Sequence, residues 1–279
     1  MRSLPPPAVH PTQFDAYERQ AWAGRAEAFA GGFALLCAHT VPALLDAARV
    51  TAGDRVLDVG TGTGSVAVAA VERGAVVTAV DAEPSMIELV RAAVPGPAAA
   101  EVAVLPELPF EDETFDAVTG NFVLNHVGQP LAAVAELRRV LRPGGRLALT
   151  IWAVPAAPGQ ALLGRAVEAA GVTRPAHLPL VPSECDFSRT PEGLAALLTA
   201  AGLREAATDT LHWVHRTTPQ AWWNGAAAGV GFIGQLLLAQ NEQTRVEIRR
   251  HFDRFSQEFT DPDGLLSLPH AALLVHAHR

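Results

Sequence analysis

The stretch VLDVGTGTG, Val56 to Gly64, holds the residues whose types and spacing most directly imply chemistry. A β-branched run meeting an acidic residue, Asp58, and then glycine at every second position reads as a buried strand that breaks into a tight turn. Gly60, Gly62 and Gly64 remove side chains where a ligand must approach backbone amides, and SVAVAAVER behind them has the composition of a helix start. A dinucleotide loop of the form G-x-G-x-x-G wants its third glycine at position 65, which is Ser65 here, so the spacing turns the reading away from NAD. An acidic residue that ends the next strand, Asp81, is placed to accept both hydroxyls of a ribose; the alternative is that it caps the helix that follows, a task open also to Glu83 and Ser85. A second centre is NFVLNHV, Asn121 to Val127, at the carboxyl end of a later strand, where ligands bind in open α/β sheets. Within it His126 is the best-placed general base, with a purely structural histidine as the alternative. His276 and His278 share a strand face without an acid or cysteine nearby, so no metal site is expected.

Taken with Asp81, VLDVGTGTG resembles the first motif of class I S-adenosylmethionine (SAM)-dependent methyltransferases. The spacing of FDAV, NHV and LRPGG is similar to that of the menaquinone and ubiquinone biosynthesis methyltransferases and their small-molecule, natural-product relatives, over about Thr51 to Trp152. The resemblance implies a Rossmann-like fold, a mostly parallel seven-stranded sheet with an antiparallel last strand, and SAM as cofactor with S-adenosylhomocysteine (SAH) as product. It puts Asp58, Gly60, Thr61, Gly62, Gly64, Asp81, Ala82, Asn121 and Phe122 on SAM, with the backbone of Leu105 and Pro106 beside adenine; Met86, one turn after Asp81, is placed either to pack on adenine or to serve as plain core. Relatives typically carry an Asp-Ala pair where this chain has Val104 and Leu105, so no side chain is assigned to the adenine amino group. Arg25, on a helical face with Trp22 and near Tyr17, is suited to pair with the SAM carboxylate.

The elements that must position these residues are readable in outline. Met1 to Pro11 is proline-rich and is expected to be loose. Phe14 to about Gly31 reads as one amphipathic helix and Ala34 to Val50 as a second, interrupted near His39 to Val41 ahead of Pro42. Strands are expected over Arg55–Val59, Val76–Val80, Glu101–Leu105, Phe115–Gly120 and Arg146–Trp152, with RPGG as a turn before the last of these. Intervening helices run over Ser65–Arg73, Pro84–Val94 and Pro130–Leu141. After Trp152, helices at Gln160–Ala170 and Pro191–Ala201 lead to a strand over Glu205–His215, then two helices over Gln220–Phe259, then a strand over Leu265–His276. We read residues 1–279 as a single domain: 12–50 an N-terminal helical lid, 51–155 the SAM-binding half, 156–216 and 264–279 the rest of the sheet, and 217–263 an inserted helical cap. The substrate pocket is expected around His126, Trp152, Trp222 and Trp223. On a helix the adjacent Trp222 and Trp223 point about 100° apart, so one lines the pocket and the other anchors the helix.

Composition narrows the function classes. The net charge of −8 argues against a surface that grips phosphate backbones, and no Pro-Pro-aromatic motif follows the fourth strand, so nucleic acid is not an expected partner. All 21 basic residues are arginine, which excludes Schiff-base and P-loop lysine chemistry. No apolar run reaches the roughly 20 residues of a membrane span, the prolines near Met1 occupy the place of a signal's apolar segment, and two cysteines make no disulfide framework. A cytoplasmic enzyme transferring methyl from SAM to a small-molecule acceptor at O, N or C, in secondary metabolism, is the reading these features favour. A SAM-fold protein that binds without transfer and a nicotinamide-dependent oxidoreductase are the alternatives.

Overall fold

The computed structural model describes residues 11–94 and 99–279; all but Pro11 of the expected loose N-terminal segment lies outside the described residues. Four short helices precede the sheet: α1 (Gln13–Trp22), α2 (Ala26–Ala30), α3 (Phe33–Ala38) and α4 (Val41–Ala47). Thr12 and Asp15 close a capping box at the start of α1. The single helix expected over Phe14 to Gly31 is two, because Gly24 takes φ +70, a left-handed conformation that ends a helix. The break between α3 and α4 falls where expected, with Pro42 in the first turn of α4.

The sheet then alternates with helices: β1 (Arg55–Val59), α5 (Ser65–Glu72), β2 (Val76–Asp81), α6 (Pro84–Ala93), β3 (Ala99–Val102), β4 (Phe115–Asn121), α7 (Pro130–Val140) and β5 (Leu141–Trp152). α8 (Pro158–Ala169), α9 (Pro191–Ala200) and β6 (Arg204–Thr217) follow, then α10 (Pro219–Ala227), α11 (Gly231–Leu238), α12 (Glu242–Ser256) and β7 (Leu266–His278). The seven strands lie in the order β3-β2-β1-β4-β5-β7-β6, parallel except that β7 runs antiparallel to both β5 and β6. That is the fold class the resemblance implies.

Both faces of the sheet are covered, so its central strands are continuous apolar runs whose alternate side chains enter two different cores. Leu57, Val118 and Leu147 face α7 and α9, against Leu137 and Leu194. Val56, Ala117 and Ala148 face α4 and α5, against Leu44 and Ala67. Three expectations are corrected. β3 starts at Ala99 and ends at Val102, because the chain turns sharply from Val104 to Glu107. RPGG belongs to β5: Leu141 pairs with Phe115, and an irregularity in the ladder absorbs the glycines before Arg146 pairs with Ala117. The insertion between β6 and β7 holds three α-helices, since Gly229 and Gly231 at positive φ end one and Asn241 caps another.

The insertion and the N-terminal helices form one layer. Gln235 of α11 accepts from the Tyr17 hydroxyl at 3.4 Å and donates to Ala21 O at 3.4 Å. Phe33 and Trp222 meet edge to face at 5.0 Å. A third core cluster joins α8, α10, α11, α12 and β7 around Leu162, Trp222, Phe252 and Leu268. Gly159 seats α8 on β7: a Cβ there would lie 2.7 Å from the Leu268 backbone.

Candidate active site

The site starts at the turn after β1. Gly60, Gly62 and Gly64 have φ of +66, +54 and +87, all left-handed, so the alternate glycines are required by the path of the chain as well as by ligand access. Two bonds fix the turn: Thr61 N donates to Val80 O at 3.0 Å and Gly62 N donates to Asp81 Oδ2 at 2.9 Å. Asp58 lies under the turn at 1% exposure, accepting from Thr61 Oγ1 at 2.7 Å and Thr119 Oγ1 at 3.2 Å. Burial pushes its carboxyl up to about 6 against the two hydroxyls, which favour the charged form. It therefore shapes the turn from below and does not reach the cavity, which corrects the assignment of Asp58 to direct cofactor contact.

Above the turn opens a cavity of about 940 Å³, within the range of ligand sites, that runs along the carboxyl ends of the parallel strands. At one end are Gly60, Thr61, Gly62, Asp81, Ala82 and Met86. Asp81 spends one lone pair of each oxygen, on Gly62 N and on Glu83 N at 3.0 Å, and keeps acceptor capacity on both. Desolvation raises its pKa, opposed chiefly by those two backbone donors. Ala103, Val104 and Leu105 form the wall beyond β2, whereas Pro106, joined to Leu105 by a cis bond, does not line the cavity. Gly64 also lies outside the lining; its missing Cβ gives room to Val90, 3.3 Å away.

In the middle stand Asn121, Phe122 and His126. The Asn121 amide is committed to the protein: its oxygen accepts from Thr40 Oγ1 at 2.7 Å and Thr150 Oγ1 at 2.6 Å, and its nitrogen donates to Cys37 O at 3.0 Å. It thereby ties α3 to β4 and β5 and offers the cavity little hydrogen-bonding capacity. His126 Nδ1 lies 2.7 Å from Glu18 Oε2 and 3.3 Å from Trp22 Nε1. One nitrogen cannot donate to the carboxylate and accept from the indole together, and the shorter, charge-assisted bond prevails. Nδ1–H thus points at Glu18 and Nε2 carries the lone pair.

At the far end Trp152 stacks on Phe122 with centroids 4.0 Å apart, and Trp222 and His270 close the floor. Trp223 does not share this wall: it packs on Phe252 at 5.4 Å under the Arg249 guanidinium, on the other side of α10. Arg25 and Tyr17 are outside the lining too. Arg25 donates to Ala23 O and lies against Gly229, and Tyr17 donates to Gln235, so both join the N-terminal helices to the insertion and neither side chain lines the cavity. Trp22 does line the cavity. Glu18, Phe29, Gln160 and His270 also line it, and none was singled out from sequence. Glu18 reads there as a solvated charge between apolar positions, and His270 as one more residue of a strand. Only the pairing of distant segments reveals either.

The methyltransferase-domain family model Methyltransf_11 matches residues 57–149. The chain is 40% identical over 109 residues to a demethylmenaquinone methyltransferase of Clavibacter sepedonicus, a match covering 38% of this chain and 44% of that protein. It thus spans less than half the length of that relative. It is 30% identical over 224 residues to the uncharacterized protein Mb1440c of Mycobacterium bovis, covering 75% of this chain and 78% of the relative. Among solved structures it is similar to YcgJ of Bacillus subtilis, with a TM-score of 0.54 at 22% identity, covering 86% of this chain and 98% of that one, a likeness of fold alone. Three left-handed glycines under an open cavity and a carboxylate with spare acceptor capacity suit SAM, and with these matches the chain belongs to the class I SAM-dependent methyltransferases, whose cofactor is SAM.

Proposed function

We propose that the chain is a cytoplasmic enzyme of secondary metabolism that transfers the methyl group of SAM to a small, partly apolar or aromatic acceptor. The observation that carries this reading is the continuity of one cavity from the glycine turn and Asp81 to an aromatic floor on β5, β7 and α10. The backbone of Gly60 to Gly62 would take the methionine end, Asp81 the ribose, and Ala82, Met86 and Leu105 the adenine side. Bound there, SAM supplies an electrophilic methyl group on a sulfonium. Holding an acceptor at near-attack distance can supply roughly 7 to 11 kcal/mol, so little side-chain chemistry is compulsory. For an acceptor that must lose a proton, His126 Nε2 is the base, with Glu18 holding the ring.

Among the described residues no helix is long and apolar enough to cross a membrane, and no group of three or more His, Cys, Asp or Glu is placed to hold a metal. Support for the division into lid (12–50), SAM-binding half (51–155) and cap (217–263) comes from the helical layer over the cavity mouth. The test pairs calorimetry with SAH and with NADH to methyl transfer from labelled SAM across a panel of small acceptors. SAH binding, no NADH binding and a labelled product are expected. NADH binding in place of SAH would sink the reading, and SAH binding without transfer to any acceptor would favour a non-transferring SAM-fold protein.

A further inference from the structure

The roof over the glycine turn is aromatic. Phe29 of α2 lies on the turn, since a Cβ added to Gly62 would stand 3.2 Å from its Cε1. Trp22, at the end of α1, meets Phe29 edge to face at 5.4 Å and His126 edge to face at 5.2 Å, with interplanar angles of 86° and 90°. All three rings are half-buried and line the cavity. Glu83 Oε1 accepts from Gly24 N at 3.2 Å, so the turn between Trp22 and Phe29 is tied to the chain just beyond Asp81. The roof is thereby fixed to the strand end that it covers.

The connectivity of SAM says what lies beneath it. The sulfur is bonded both to the ribose C5′ and to the methionine side chain. With the ribose on Asp81 and the methionine end on the amides of Gly60 to Gly62, the sulfur falls beside the 2.9 Å bond that joins Gly62 N to Asp81 Oδ2. Phe29 lies on that same glycine. A sulfonium carries a full positive charge, and taking it out of water is costly unless the cavity answers that charge. It has no hydrogen on sulfur, so no carboxylate can hydrogen-bond it, and Glu18 Oε2 is already engaged with His126 Nδ1 at 2.7 Å. The face of an aromatic ring attracts a cation without needing a hydrogen, tryptophan most strongly. Arg19 also lines this part of the cavity, but it is exposed and its charge is screened by solvent.

We propose that Trp22 and Phe29 form an aromatic cage that reads the positive charge on the cofactor sulfur and so favours SAM over SAH by cation–π attraction. This rests on the methyltransferase reading and names, for its donor site, the residues that tell the loaded cofactor from the spent one. In the transfer the acceptor's electron pair forms the new bond to the methyl carbon and the S–CH3 pair stays on sulfur. A proton that the acceptor sheds goes to His126 Nε2. The sulfur ends as a neutral thioether while the rest of the cofactor is unchanged, so a contact that reads only charge loosens on the product.

The experiment titrates the full chain at pH 7 with SAM, with SAH and with sinefungin, whose protonated amine stands where SAM has its methylsulfonium, followed by calorimetry. The readout is the ratio of the SAH to the SAM dissociation constant, because lost packing alone would weaken both alike. In Trp22→Leu this ratio should fall at least about fivefold relative to wild type, about 1 kcal/mol, and sinefungin should weaken in step with SAM. Phe29→Leu should lower the ratio by less, and Trp22→Phe, which restores a ring, should return most of it. A wild-type ratio in both leucine variants would overturn the proposal. So would a ratio that collapses in Glu18→Gln and stands in Trp22→Leu, since the carboxylate would then read the charge. If Trp22→Leu does not fold, the ratio in Phe29→Leu decides. Wild-type protein that binds neither SAM nor SAH defeats the methyltransferase reading, whereas binding of both with a ratio indifferent to the rings defeats only the cage.

Discussion

The two ends of the cavity are assembled in opposite ways. The end proposed for the donor uses backbone and one carboxylate supplied by a short continuous run, in which Gly62 and Asp81 are linked directly by the Gly62 N to Asp81 Oδ2 bond. The acceptor end uses side chains from segments far apart in sequence: Trp152 from β5, Trp222 from α10 and His270 from β7. A turn that holds a ligand through its amides tolerates almost no substitution, because the backbone conformation is the site. A wall of side chains can be changed one residue at a time. The comparison predicts large effects on cofactor binding at the first end and small ones at the second.

The sharpest way to break it is Gly62→Val. A β-branched residue at φ +54 is strained, and its Cβ would lie 3.2 Å from Phe29 Cε1 on α2. SAH affinity should fall at least about a hundredfold, about 3 kcal/mol, by calorimetry on a folded protein. Wild-type affinity would show that the turn does not hold the cofactor.

Asp81→Ala comes next. It removes the acceptor proposed for the ribose hydroxyls, at about 1.5 to 3 kcal/mol for each charge-assisted bond, and frees the amides of Gly62 and Glu83. A loss of at least about tenfold in SAH affinity is expected, measured below the midpoint of a protein that the two freed amides make somewhat less stable. Unchanged affinity would move the ribose elsewhere.

Acid separates the ends through stability. His270 is neutral in the fold down to about pH 4, while in the unfolded chain it takes up a proton near 6.5. Its contribution is therefore fully present above pH 6.5 and is lost as pH falls, by up to about 2 kcal/mol on reaching pH 5. His215 acts in the same direction. Asp58 opposes them: with its carboxyl raised to about 6, the fold gains as pH falls through that value, by about 1.4 kcal/mol at pH 5. The histidines win, so the denaturation midpoint should drop between pH 7 and pH 5, and His270→Phe should flatten the drop. A midpoint that rises on acidification would place the buried charge at the donor end in control.

What could be read from the sequence follows the same division. The glycine turn, Asp81 and the strand succession are local: each depends on neighbours within a few residues, and period and turn chemistry report them. The floor of the cavity was half legible, since Trp152 and Trp222 are large residues in suggestive places, but His270 has no local mark. Arg25 and Tyr17 stand outside the cavity lining for a related reason. Helical spacing put them on one face with Trp22, but what that face meets is set by α11, more than 200 positions away, where Gln235 takes the tyrosine hydroxyl. The break at Gly24 also turned α2 away from the line of α1. Glu18 escaped because a charged residue on an amphipathic helix is ordinarily solvated, and nothing near it in sequence announces His126.

The smallest effect predicted is the one that tests whether the ends are separable. Trp222 and Trp223 are adjacent on α10 and face opposite ways: Trp222 lines the cavity beside His270, and Trp223 lies on Phe252 beneath Arg249. Trp222→Ala enlarges the acceptor floor and touches nothing on the glycine turn, so SAH affinity should stay within about twofold, under ~0.5 kcal/mol, while acceptor KM rises or the range of acceptors shifts. Trp223→Ala removes packing between α10 and α12 and should lower stability by about 2 to 3 kcal/mol, with acceptor preference retained. One feature could couple the ends: Trp222 touches Phe33, and the helices around Phe33 carry Phe29 onto Gly62. Transmission through that contact would make Trp222→Ala weaken SAH binding well beyond twofold in a protein that still folds. Donor and acceptor would then share one helical layer in function as they do in structure, and the division argued here would fail at its most direct test.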